Sequence, residues 1–214
     1  MTSLLRRNRT TSPPVVQPPF VVPEGDWQGE LYPRRIPPLP RAQQRLFHRF
    51  FLAAIRRSAH ENYDYNCFLV LARLGRIFPI HAMLVGQLLR GGTISPADTE
   101  RIIIRIAWRM GCQYEYAHHT RMALQHGISR REIESLTNET DEEWSDRTRT
   151  LLAAADELFA TKNLSAATYQ RLRRELDENQ ILEFSMLVGH YMMAAMMLDV
   201  AGCEVEPTFA LDTR

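Results

Sequence analysis

A surplus of charge is missing from this sequence: 26 lysines and arginines face 25 aspartates and glutamates across 214 residues, a formal net charge of +1. That balance offers no electrostatic footprint for nucleic acid or for an anionic membrane, so neither is expected as a partner. Cysteine is scarce as well. Cys67, Cys112 and Cys203 are odd in number, far apart and without a Cys-x-x-Cys pair, which argues against a disulfide framework and a thiolate zinc site. A reducing compartment fits, and the cytoplasm is the expected location. No apolar run is read as a membrane span, since residues 184–201 are interrupted by His190 and Asp199. Arg6, Arg7 and Arg9 are not followed by the apolar stretch of a secretory signal. The mitochondrial matrix is the alternative, because the residues before Glu24 lack acids; Pro13, Pro14, Pro18 and Pro19 oppose it by breaking the helix a presequence needs.

Proline is nearly absent beyond the first forty residues. Nine of the twelve lie between Pro13 and Pro40, so residues 1–40 read as an extended Pro-rich arm and residues 41–214 as a single helical domain. Val15, Val16, Phe20, Val21, Val22 and Trp27 give the arm enough apolar surface to wrap over the domain or a neighbour. Strand signals are nearly absent, and the fold class is all-α. Leu46, Phe47, Phe50, Phe51, Ala54 and Ile55 recur at helical spacing, shorter helices follow near Cys67 to Leu74 and Ile80 to Leu89, and Gly91-Gly92 ends that region. Ser95-Pro96-Ala97-Asp98 supplies an N-cap, a proline at the first helical position and an acid in the first turn. Gly127 closes a later helix, Ser129 to Glu132 forms a capping box, Asp141 to Asp146 leads into another helix, and Ser165 or Thr168 opens the next. In the final helix, from about Gln180 to Ala201, Met186, His190, Met193 and Met197 make one stripe and apolar residues cover the other faces. A helix buried nearly all round predicts a homo-oligomer.

Residues 100–119 hold the densest chemistry, with one thiol, two carboxylates and two imidazoles in twenty residues of helical sequence. On a continuous helix Cys112, Glu115 and His119 stand at i, i+3 and i+7, on one face within two turns. Glu100 lies twelve residues before Cys112, about a third of a turn away on an unbroken helix, and a break at Gly111 would let it return toward the thiol. A helix beginning at Gly111 or Cys112 would favour thiolate, whereas Glu115 and Glu100 would oppose it while offering proton acceptors. Tyr116, His118 and Arg105 are candidates for lining a substrate pocket, although Tyr116 also reads as an ordinary packing residue and Arg101, Arg105 and Arg109 most simply as a solvated stripe. A metal at Glu115 and His119 is disfavoured because His118 points about a hundred degrees from His119, and no metal is expected. A helix-turn-helix over residues 123–136 is opposed by Glu132 and Glu134 and by the neutral charge.

At these residues the sequence resembles the carboxymuconolactone decarboxylase and alkylhydroperoxidase D-like superfamily. Glu100 matches the acid that alkylhydroperoxidase-type members place twelve residues before Cys-x-x-Cys-x-x-x-His, Cys112 the first cysteine and His119 the histidine; Glu115 stands where the second cysteine would be. The similarity runs over residues 74–205 and includes Gly127-Ile128-Ser129, Glu132-Ile133 and Val188-Gly189-His190-Tyr191. It implies an alkylhydroperoxidase D-like helical domain, a small-molecule substrate, no cofactor, and trimers or larger rings. Without a second cysteine nearby, Cys112 has no sequence neighbour to resolve a sulfenic acid. The expected function is therefore a cofactor-independent decarboxylase-like enzyme moving protons on a small carboxylic or carbonyl substrate through Glu100, Cys112, Glu115 and His119. A single-thiol peroxidase with an external reductant is the runner-up, and a non-catalytic binding protein is the less favoured alternative.

Overall fold

The computed structural model of the protein describes residues 20–21, 34–139, 141, 143–206 and 211–212. Most of the Pro-rich arm lies outside these residues. Its described end is docked: the amides of Arg35 and Ile36 donate to the Ala201 carbonyl at 2.9 and 3.0 Å, and that of Leu39 to the Leu69 carbonyl at 2.9 Å. Among the described residues the only strand pairing is a parallel one, two residues long, between Phe20–Val21 and Leu211–Asp212.

The remaining regular structure among the described residues is helical: α1 (Leu46–Ser58), α2 (Asn66–Leu71), α3 (Ile77–Gly86), α4 (Pro96–Met110), α5 (Gln113–Gln125), α6 (Arg130–Ser135), α7 (Asp146–Thr161), α8 (Ala166–Glu175) and α9 (Glu178–Ala201). The start signals behave as their chemistry requires. The side-chain oxygens of Ser95, Ser129, Ser145, Ser165 and Asp177 each accept an amide from the first turn of α4, α6, α7, α8 and α9. Only half of the expected box at Ser129 forms, because the Glu132 carboxylate accepts from Arg101 at 2.7 Å instead. The short α6, six residues long, leaves the helix-turn-helix reading without a full recognition helix.

Helix α4 is the centre of the fold. Ile102, Ile103, Ile104 and Ile106 are fully buried, facing Leu151, Ala154 and Ala155 of α7, Phe184, Leu187 and Val188 of α9, and Tyr116 of α5. A run of β-branched residues costs helix propensity, roughly half a kcal/mol each. Burying each isoleucine returns about 1.5–3 kcal/mol, so tertiary packing decides the conformation.

Three expectations change. Arg105 is not part of a solvated stripe, since its side chain is 0% exposed and makes a two-pronged pair with Asp156. In α1, Leu46 and Phe50 face outward while His48 and Leu52 are buried. Helix α9 is buried on one side only: Leu182, Met186, Met193, Met196 and Val200 form an exposed apolar face opposite Tyr191, Ala195 and Leu198. By length and composition α9 is also long and apolar enough to cross a membrane, with half of that stretch buried inside the fold.

Candidate active site

Gly111 ends α4 in the left-handed region at φ 70°, where a side chain would be strained, and the chain turns there into α5. This break folds α5 back against α4 and returns Glu100 toward His119. His119 Nδ1 lies 2.8 Å from Glu100 Oε2, and its Nε2 lies 3.3 Å from Glu115 Oε2. The imidazole is thus gripped between two carboxylates, one from the preceding helix and one a turn back on its own. Burial acts to lower the His119 pKa, but the charges and hydrogen bonds of Glu100 and Glu115 outweigh it and raise the pKa to about 9. At neutral pH His119 is an imidazolium with both N–H groups donated to carboxylates.

Cys112 behaves differently from its expected place on that face. It is the N-cap of α5, with extended backbone at φ −84° and ψ 95°, so helical projection does not apply to it. Its side chain is 0% exposed, in an apolar cluster with Cys67, Tyr114, Ala195 and Leu198. Burial, reinforced by the negative charges of Glu115 and Asp199, pushes the thiol pKa well up. The helix terminus therefore loses to desolvation. Cys203 borders the same cluster, so the three cysteines that are far apart in sequence converge in space as free thiols.

A cavity of about 430 Å³ opens beside the His119 centre. Glu115, His118, His119 and Met122 of α5, Tyr191 and His190 of α9, His81 and Val85 of α3, and Tyr65 and Phe68 are among its walls. The five-residue π-turn after α3, Gln87–Gly91, brings Leu89 and Arg90 to it. Glu100 is 2% exposed and stands behind His119, off the cavity wall. His118 does line the cavity, but its Nε2 is paired with Glu206 at 3.0 Å and its ring stacks on Tyr114.

Two expected pocket residues are elsewhere. Tyr116, one position from Glu115 and so on another face of α5, is buried among Ile104, Ile128, Ile133 and Leu136. Arg105 points away toward α7. Conversely, the cavity takes in His81, the one polar side chain in the helix Ile-Phe-Pro-Ile-His-Ala-Met-Leu-Val-Gly, and that isolation is a legible signal. His190 stands in the sequence as part of the α9 stripe and of the Val188-Gly189-His190-Tyr191 segment, neither of which points it at a cavity. Among the described residues no group of three or more His, Cys, Asp or Glu side chains is arranged to hold a metal ion.

The comparisons with known proteins agree with this architecture. Residues 81–157 match the model of the Carboxymuconolactone decarboxylase family, a span that includes Glu100, Glu115 and His119. No curated protein matches the sequence significantly. Among solved structures, an uncharacterized peroxidase-related protein from Ralstonia eutropha JMP134 with an alkylhydroperoxidase AhpD core is similar at a TM-score of 0.73 and 17% identity. The match covers 84% of this chain and 97% of that one. The debrominase Bmp8, in complex with 2,3,4-tribromopyrrole, is similar at a TM-score of 0.69 and 14% identity, over 81% of this chain and 92% of that one. An uncharacterized peroxidase-related protein from Silicibacter sp. TM1040 gives 0.72 and 14%, over 84% and 97%. Residues 81–157 thus carry a region similar to the Carboxymuconolactone decarboxylase family, and the chain shares the alkylhydroperoxidase D-like helical fold.

Proposed function

We propose that this protein is a cofactor-independent enzyme that transfers protons on a small carboxylic or carbonyl substrate, by decarboxylation or a related lyase or isomerase step. The observation that carries this is the imidazolium of His119, held by buried Glu100 on one nitrogen and by cavity-lining Glu115 on the other. Glu115 is the group that meets substrate, His119 supplies and withdraws its proton, and Glu100 fixes the ring. The cavity is of the size that small organic ligands occupy. A ring as small as 2,3,4-tribromopyrrole, the ligand of the similar Bmp8 structure, is the scale of molecule it suits. The test is incubation in D₂O with carboxymuconolactone and a panel of small ketones and keto acids, following loss of C–H signals by NMR and release of CO₂. Exchange or release is expected from the native protein and not from His119→Ala or Glu115→Gln; unchanged turnover in both variants sinks the proposal.

Thiol peroxidase chemistry is the second reading, favoured by the convergence of Cys67, Cys112 and Cys203 on one cluster. Burial opposes it, since it raises the pKa of all three thiols. Peptide mass spectrometry after brief peroxide or iodoacetamide treatment of the folded protein is expected to find Cys112 unmodified and Cys203, the least buried, reacting first. Rapid oxidation confined to Cys112 would reverse the order of the two readings.

We also infer a homo-oligomer from the exposed Leu182, Met186, Met193, Met196 and Val200 face of α9 together with exposed Ile77, Ile80 and Met83 of α3. Light scattering is expected to give a mass above that of one 24.8 kDa chain. Met193→Glu with Met196→Glu should shift it toward the monomer. A native mass equal to one chain would remove the inference.

A further inference from the structure

His81 and His190 stand 109 positions apart in the sequence, yet their rings are 5.0 Å apart, and both line the cavity. They continue a row of rings from the proposed proton-transfer centre: His119 meets Tyr191 edge-on at 4.8 Å, Tyr191 meets His190 at 5.3 Å, and His190 meets His81. Their exposures are 7% and 5%, and His81 Nδ1, His81 Nε2 and His190 Nδ1 have no hydrogen-bond partner among the described residues. A buried polar atom without a partner is destabilising, and native folds leave few of them. As core residues these two histidines are a liability; as the lining of a binding cavity they are unengaged donors and acceptors.

Their charge state fits that role. Burial lowers the His81 pKa against the opposing pull of Glu115, and burial together with the neighbouring His81 and His119 takes His190 down to about 4. Both rings are neutral at pH 7, each with one N–H to donate. A neutral imidazole at a developing oxyanion stabilises negative charge on oxygen without adding a fixed cation beside the general base.

Resting on the proton-transfer reading above, we propose that His81 and His190 form a neutral oxyanion-binding pair that receives the carbonyl oxygen of an enolisable substrate, while Glu115 exchanges the proton at the adjacent carbon. The C–H bond breaks, its proton passes to the Glu115 carboxylate, its electron pair forms a C=C bond, and the former C=O pair moves onto oxygen under the imidazole N–H donors. Reversal at the same or another carbon completes exchange or isomerisation. For a keto acid with its carboxylate β to the carbonyl, the C–C bond breaks instead and CO₂ leaves with formation of the same enolate. A proton passed from the His119 imidazolium through Glu115 then makes the new C–H bond. The substrate class that follows is a small carbonyl compound, cyclic or open, with an acidic C–H or a carboxylate one carbon from its carbonyl.

The test uses 4-nitrophenol as a probe, because its ionised form carries charge on one oxygen and is read directly by absorbance. Binding by the native protein is expected to stabilise the phenolate and shift the ring signals of His81 and His190. His81→Leu and His190→Leu are each expected to weaken binding about tenfold or more. Melting temperature should hold, or rise by about 2–4 °C, because an unpartnered buried imidazole has been replaced by an apolar side chain. His190→Gln, which keeps an N–H donor, should recover affinity relative to His190→Leu. No binding by the native protein, or native affinity retained in both leucine variants, overturns the proposal. So do melting temperatures lowered by several degrees with no recovery in His190→Gln, which would assign the imidazoles to the fold. The two proposals fail separately. Probe binding that depends on both histidines, with no proton exchange on any carbonyl compound, leaves the pair standing and removes the proton-transfer reading. Exchange that needs Glu115 but ignores both histidines does the reverse.

Discussion

Glu115→Gln is expected to reduce turnover by about 10²–10⁴-fold, the range a positioned general acid or base contributes, while the helical circular dichroism signal stays native. The size of the effect follows from position. Glu115 is a carboxylate that both lines the cavity and touches His119 Nε2, whereas Glu100 reaches only the far nitrogen and has no face on the cavity. Glu100→Gln should therefore act as a positioning change: a smaller loss in rate, accompanied by a shifted pH profile. With the Glu100 charge removed, burial of His119 is opposed by Glu115 alone, so its pKa falls below the native value of about 9. The alkaline limb of the rate profile moves to lower pH with it.

Stability carries the same signature. A histidine whose folded pKa is raised from 6.5 to about 9 contributes stability that is fully present below pH 6.5 and is lost as the pH rises through about 9. The native protein should lose melting temperature across that interval, and Glu100→Gln should lose less over a window that closes at lower pH. NMR titration of the His119 ring in both proteins reads the cause directly; an unchanged His119 pKa in Glu100→Gln removes this account of the site.

How far this site could be seen in advance depends on the distance over which each residue is determined. The start of α4 at Ser95 and Pro96 and the break at Gly111 follow from local stereochemistry, and the sequence carries them; the break brings Glu100 to His119 rather than to the Cys112 thiol toward which the spacing points it. Glu115 and His119 fall within one helix, so their spacing gives their neighbourhood. Cys112 does not, because the residue just outside a helix obeys no helical period and its burial comes from Ala195, Leu198 and Asp199 on α9. The pairing of His81 with His190 joins α3 to α9, and no local pattern encodes it. Tyr116 is legible as a packing residue: one residue from Glu115 on a helix is about a hundred degrees away, which turns it from the cavity into the second core cluster.

Arg105 shows the same limit with the largest consequence for stability. Its spacing from Arg101 and Arg109 suits a solvated stripe, yet its guanidinium is buried with Nε and Nη2 donating to Asp156 at 2.8 and 2.7 Å. Nη1 donates to the carbonyl of Leu136 at 2.7 Å and also to that of Asn138. One side chain thus joins α4 to α7 and closes the turn after α6. Arg105→Ala would leave the Leu136 and Asn138 carbonyls without this donor, and Asp156 with Arg109 as its remaining cation. The expected loss is about 3–5 kcal/mol, since removing one partner strands buried polar groups as well as deleting their attraction. For a domain of this size that corresponds to a fall of roughly 6–20 °C in melting temperature, measurable by calorimetry. Arg105→Lys keeps the charge but not the planar fork, so it should recover only part of the loss. Arg105→Met restores volume without charge and still leaves the two carbonyls unpaired, so it should fall between Ala and Lys. A melting temperature within a degree of native for Arg105→Ala would mean that the network is dispensable and that the packing of the α4 isoleucines alone holds α7 in place.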